Sequence, residues 1–102
     1  MTNITPNEAA EIMKTSENAL ILDVRTPGEY ISYHVPNAIN IPVQELFHRL
    51  DELDTEKEII VLCEHGFRSV NASYILEHAG FECIYNMVGG MSRWPNEIVT
   101  TA

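Results

Sequence analysis

Cys63 is followed by Glu64, His65, Gly66 and Phe67, then by Arg68 and Ser69. The cysteine closes the apolar run Ile59-Ile60-Val61-Leu62, and a helical pattern begins at Arg68, so the stretch reads as strand, tight loop, helix. Such a loop turns its backbone N–H groups toward its own centre, at the positive end of the following helix. A cysteine placed there is favoured as the thiolate, and Arg68 adds positive charge at the mouth. This reading makes Cys63 a nucleophile cradled by its own loop. A cysteine at the end of a buried strand can equally be a small hydrophobe. The glycine, the arginine and the helix start favour the nucleophile.

A second cluster, Asp23, Arg25 and Glu29, follows another apolar run, Ala19-Leu20-Ile21-Leu22. In open α/β sheets, sites form at the carboxyl ends of parallel strands. If both runs are parallel strands, Asp23 and Cys63 share one sheet edge. Asp23, Arg25 and Glu29 can then support the loop by pairing with Arg68 or with loop amides, or can serve only the strand-to-helix turn.

The elements that must position these groups follow in order. A short first strand is expected over 1–4. Thr5-Pro6-Asn7-Glu8 and Thr26-Pro27-Gly28-Glu29 are two capping boxes with proline at the first helical position, predicting helices to about residue 14 and over 27–33. Ile39-Asn40-Ile41 reads as a very short strand. Val43, Leu46, Phe47, Leu50 and Leu53 recur at helical spacing after Pro42, predicting one helix to about Leu53. A solvated acidic loop leads to the central strand, 58–62. Ala72, Ile75, Leu76 and Ala79 form a helical face ended by Gly80 as a left-handed cap. A last strand is expected over 82–87, a tight turn at Gly89-Gly90, one helical turn over 91–94 and a loose tail over 96–102. Alternating strands and helices with short connections give an α/β domain, a mainly parallel sheet with helices on both faces.

The chain has 102 residues, 45% of them apolar, which suits one domain with a core that needs no staples. Two cysteines, Cys63 and Cys83, make no disulfide framework, and neither a leader nor a membrane-spanning run is expected. A reducing, cytoplasmic compartment is the expectation. Fifteen acids against six bases give a formal charge of −9, which argues against nucleic acid and anionic membrane as partners. Solubility is the simpler explanation of that charge, and docking to a basic protein is the sharper alternative. The histidines and cysteines show no close ligand spacing, so no metal and no cofactor are expected. A monomer is the default.

Leu22-Asp23-Val24-Arg25 with Glu29-Tyr30, the run from His34 to Pro42, the loop from Cys63 to Ser69, Gly80-Phe81, and Gly89-Gly90-Met91 with Trp94 stand in the order and spacing of rhodanese signatures. The sequence resembles single-domain rhodaneses from about residue 5 to 95. The resemblance implies a rhodanese-like fold, a five-stranded mostly parallel sheet flanked by helices, and sulfur transfer as the activity. It implies that Cys63 takes a sulfane sulfur from a donor such as thiosulfate, a polysulfide or a protein persulfide, and passes it to cyanide or another thiol. The backbone N–H groups of Glu64, His65, Gly66, Phe67, Arg68 and Ser69 would stabilise the terminal sulfur.

The sequence departs from that pattern at three places. Tyr33 and Asn37 stand where the family usually has glycine, and asparagine tolerates a left-handed backbone. Glu64 puts negative charge beside the thiol, which opposes dianionic thiosulfate and favours a protein persulfide or small polysulfide. His65 is read as lining the loop rather than moving protons, Phe67 as a pocket wall or a partner contact, and Trp94 as core or pocket rim. His34 is read as structural, and His48 and His78 as surface positions. Cys83 is a buried bystander or, alternatively, a resolving thiol. Two other functions compete: a non-catalytic binding module, and a phosphatase or arsenate reductase. The latter enzymes carry five residues between cysteine and arginine, where this loop carries four.

Overall fold

The computed structural model describes residues 1–100. Both capping boxes form. The Thr5 hydroxyl accepts from the Glu8 amide at 3.1 Å, while Glu8 accepts from the Thr5 amide at 2.9 Å, opening α1 (Pro6–Thr15). Thr26 and Glu29 repeat the exchange at the start of α2 (Pro27–Ser32). Both helices therefore begin with reciprocally satisfied end groups, at positions set by two four-residue motifs.

The strands are β1 (Thr2–Ile4), β2 (Ala19–Asp23), β4 (Ile39–Asn40), β5 (Glu58–Leu62) and β6 (Ile84–Met87), in the sheet order β1-β6-β5-β2-β4 with every pairing parallel. A two-residue β3 (Tyr33–His34) pairs antiparallel with β7 (Val99–Thr100) in a separate ribbon. The central β5 is covered on both faces, and its residues alternate between two cores. Ile59, Val61 and Cys63 face one core with Leu22, Ala72 and Leu76; Ile60 and Leu62 face the other with Ala9, Ile21 and Met87. The period of two carries past the strand end, so the Cys63 side chain falls on the α4 (Arg68–His78) side at the carboxyl edge of the sheet. Asp23 pairs with Leu62 in the β2–β5 register, which sets it on the same edge.

The left-handed cap of α4 is present: Gly80 has φ +95°, its amide donates to Glu77, and the Phe81 amide donates to Leu76. Asn37 adopts φ +66°, as its turn requires.

Three elements differ from the sequence reading. The single helix expected after Pro42 is broken into α3 (Val43–Leu46) and a 3₁₀ turn at Leu50–Glu52. The break keeps Leu46 and Leu53 buried while turning Phe47 out to 68% exposure. Arg49 lies at the break and ties its two sides together through Glu45 and Glu52. The second difference is β3, missed because two residues carry no readable period. The third is its partner β7, which lies within the segment expected to be a loose tail; residues 101 and 102 of that segment lie outside the described residues. Among the described residues, no helix is long and apolar enough to cross a membrane.

Candidate active site

Cys63 lies immediately beyond β5 and is 1% exposed. Two backbone amides converge on its sulfur, Gly66 N–H at 3.1 Å and Ser69 N–H at 3.3 Å, and the Ser69 hydroxyl lies 3.6 Å away. Gly66 turns its amide inward with φ +94°, a conformation that a side chain would strain. Ser69 is in the first turn of α4, where backbone N–H groups lack intrahelical acceptors. No side chain of Phe67 caps that helix, and the sulfur of Cys63 accepts in its place. The positive end of α4 therefore terminates on sulfur.

The loop rests on a floor of glycine. Gly89 and Gly90 have φ +79° and +69°. A Cβ on Gly90 would stand 2.4 Å from the Glu64 carbonyl oxygen and 2.6 Å from that of Cys63. Those two carbonyls accept from the amides of Ser92 and Met91 at 3.2 and 2.7 Å. The sequence predicts a tight turn at Gly89-Gly90; the close approach beneath the loop is a further role of the pair, and its consecutive glycines are the signal for it.

Two ion-pair groups flank the loop. Arg68 grips Glu29 with both terminal nitrogens, at 2.7 and 2.9 Å, and Glu29 also caps α2. The Arg68 hydrogen bonds are the main reason that the Glu29 carboxyl is held down at about 2. Arg68 thus reaches the mouth already paired. Arg25 is wholly buried and bonds Asp23 through Nε and Nη2, Glu64 through Nη1 at 3.1 Å, and the Tyr33 carbonyl through Nη2 at 2.6 Å. Burial opposes the Arg25 charge, yet bonding to Asp23 and Glu64 prevails and strengthens its hold on the proton. The other Glu64 oxygen accepts from the Tyr33 hydroxyl at 2.5 Å. That bond, ahead of burial, raises the Tyr33 phenol above its ordinary value. Asn40 closes the group by donating to the carbonyls of Asp23 and Arg25 at 2.9 and 3.0 Å.

Of the sequence-predicted residues, Glu29 contacts Arg68 directly, whereas Asp23 reaches the loop only through Arg25 and Glu64. His65 is exposed. Phe67 is 82% exposed, so its ring stands out from the loop into solvent. Trp94 packs against the other core and lines a cleft of about 430 Å³ with Met13, Ile21, Val35 and Pro36. His34 stacks on Tyr30 and bonds its carbonyl at 2.7 Å, while His48 and His78 are exposed. Both cysteines are free. The β5–β6 register pairs Ile59 with Ile84, which sets Cys83 level with Glu58, five residues before Cys63 on a parallel strand. At roughly 3.3 Å per residue the two thiols are about 16 Å apart, too far for a disulfide. The resolving-thiol alternative therefore fails on geometry. No group of three or more His, Cys, Asp or Glu side chains could hold a metal among the described residues.

The comparisons with known proteins agree with this architecture. A family model for the rhodanese-like domain matches residues 5–97. The thiosulfate sulfurtransferase GlpE of Actinobacillus pleuropneumoniae is 33% identical over 93 residues, covering 91% of this chain and 85% of that protein. The crystal structure of a rhodanese-like domain protein from Staphylococcus aureus superposes with a TM-score of 0.89 at 29% identity, covering 100% of both chains. A structure described as rhodanese with anions from E. coli superposes with a TM-score of 0.73 at 32% identity, covering 81% of this chain and 99% of that one. A parallel sheet of this order, a cysteine at its carboxyl edge and these relatives lead to one conclusion: the chain belongs to the rhodanese-like domain family, a family with sulfurtransferases among its members.

Proposed function

We propose that the protein is a sulfurtransferase in which Cys63 carries a sulfane sulfur as a persulfide. The observation that carries this reading is the convergence of the Gly66 and Ser69 amides on the Cys63 sulfur. Fixed donors aimed at a sulfur stabilise negative charge on it without reorganising during the reaction. In the loading step the Cys63 thiolate attacks the terminal sulfur of a donor R–S–SH. A new S–S bond forms to Cys63, the donor S–S bond breaks, and its electron pair leaves with the thiolate RS⁻. With thiosulfate the leaving group is sulfite. In discharge a thiol or cyanide attacks the outer sulfur and returns the Cys63 thiolate.

Donors of the persulfide or polysulfide type fit better than thiosulfate. Thiosulfate brings two negative charges to a mouth where Arg68 is already held by Glu29 and Glu64 lies beside the thiol. A free thiol carrier of this kind suits a reducing cytoplasm, and the domain is proposed to act as a monomer, without cofactor or metal.

The test is intact-protein mass after incubation with thiosulfate or polysulfide, before and after cyanide, beside Cys63→Ser. The expected result is a gain of one sulfur atom that cyanide removes and Cys63→Ser abolishes. No adduct on freshly reduced protein from any donor, a protein persulfide included, would overturn the reading.

A further inference from the structure

Tyr33 and Glu64 occupy positions far apart in sequence, on the β3 strand and the loop, yet they meet through one short hydrogen bond. Glu64 is the residue next to the nucleophile, and 18% of its side chain stays open to solvent. Its carboxylate is fixed at both oxygens, by Tyr33 on one and by Arg25 on the other. It cannot swing away from an incoming donor without breaking both bonds. Tyr33 is itself fixed: its carbonyl accepts from Arg25, its ring lies 5.0 Å from the Arg25 guanidinium carbon, and its backbone pairs with Thr100.

The charge balance gives this clamp a direction. Asp23, Glu29 and Glu64 face the two guanidiniums of Arg25 and Arg68, which leaves one unit of negative charge in the paired groups around the loop. Both guanidiniums are already paired with carboxylates, Arg25 in full burial and Arg68 with a third of its side chain still exposed. Arg93 is the opposing candidate: its side chain crosses Gly89, and it has no carboxylate within ion-pairing distance among the described residues. Glu64 on the loop and Arg93 over its glycine floor are thus the two opposed charges to be weighed.

We propose that Tyr33 and Glu64 act as one specificity device, a fixed negative lip that selects persulfide donors whose carrier is positively charged near the sulfur and discriminates against anionic ones. This rests on the persulfide reading of Cys63 and names the donor class for the same site. Tyr33 is a positioning residue acting through Glu64. The chemistry of loading is unchanged by the device; only the approach of the donor is affected.

The experiment measures the second-order rate of sulfur loading on Cys63 by quenched intact mass, at low salt. The donors are freshly prepared persulfides of cysteamine, 2-mercaptoethanol and 3-mercaptopropionate, which present the same sulfur and differ by one charge at each step. The wild type should load fastest from the cysteamine persulfide and slowest from the mercaptopropionate persulfide, with about a threefold spacing per unit of donor charge. Glu64→Gln, which keeps the shape, should collapse the spacing. Tyr33→Phe, which keeps the ring against Arg25, should narrow it. Arg93→Gln should widen it. Loading that ignores donor charge, a spacing unchanged in Glu64→Gln, or a reversed order that Arg93→Gln removes would each overturn the proposal and leave the persulfide reading standing. Absence of loading from all three donors would overturn this proposal together with its premise.

Discussion

The Ser69 amide donates to the Cys63 sulfur at 3.3 Å, so the cysteine side chain caps α4. The sulfur proposed to carry the chemistry therefore also has a part in stability. Cys63→Ala removes the acceptor and should cost about 1–2 kcal/mol, as loss of a helix N-cap commonly does. Cys63→Ser retains a polar acceptor and should cost less, although it cannot carry sulfur. Urea denaturation of the two variants checks this ordering; equal losses would mean that the sulfur contributes only packing.

Gly90 supports the loop by having no side chain. Gly90→Ala would force its Cβ against the Glu64 and Cys63 carbonyls, in a backbone region that strains alanine. The expected cost is about 2–4 kcal/mol, with much slower alkylation and sulfur loading at Cys63. Denaturation together with a timed iodoacetamide reaction separates the two effects. A variant of wild-type stability and reactivity would show that the floor yields freely.

The Glu29–Arg68 pair predicts the shape of the acid limb. The Glu29 carboxyl sits at about 2 in the folded protein and near its ordinary value of 4.5 when unfolded. A lowered folded value means that the contribution is fully present above about 4.5 and is lost as pH falls toward 2. Because the pair is partly exposed, solvent reduces its worth to about 1 kcal/mol. Glu29→Gln, whose amide oxygen can still accept from the Thr26 amide, should flatten the stability curve in that window. Urea midpoints between those limits check the slope, and an unchanged slope would place the linkage elsewhere.

Arg25 holds two carboxylates and a carbonyl in a buried position. Arg25→Met leaves Asp23 charged, buried and without its cation, so a loss of about 3–5 kcal/mol is expected. Arg25→Lys keeps the charge but not the fork that reaches all three partners, and should recover only part of the loss. Asp23→Asn combined with Arg25→Met should be less damaging than Arg25→Met alone. A double-mutant cycle by denaturation measures that coupling.

Legibility in the sequence followed the range of the forces involved. Both capping boxes, the Gly80 cap and the β5 run are local patterns, and each formed where its residues stand. The cysteine loop was equally readable, since Cys63, Gly66 and the first turn of α4 lie within seven residues. Contacts set by tertiary approach were not. The Tyr33–Glu64 bond spans 31 positions, and nothing at either residue announces the other. The β3–β7 ribbon has two residues a side, too few for a period. The broken helix after Pro42 misled for the opposite reason. Its leucines kept a helical spacing that packing satisfied through a short helix and a turn, leaving Phe47 outside. Asp23, Arg25 and Glu29 could be placed near the loop, but their partners depended on how side chains divided two guanidiniums among three carboxylates.

The pairing of β7 with β3 makes the rim of the loop answerable to a ribbon outside the main sheet. Thr100 lies opposite Tyr33, and Tyr33 grips Glu64. Substitutions in Val99 or Thr100 can therefore shift the lip while leaving the cysteine, its amides and its glycine floor untouched. Under the proposed roles, donor preference and sulfur chemistry are separately inheritable: the first can drift through a remote strand while the second stays under the constraint of the loop.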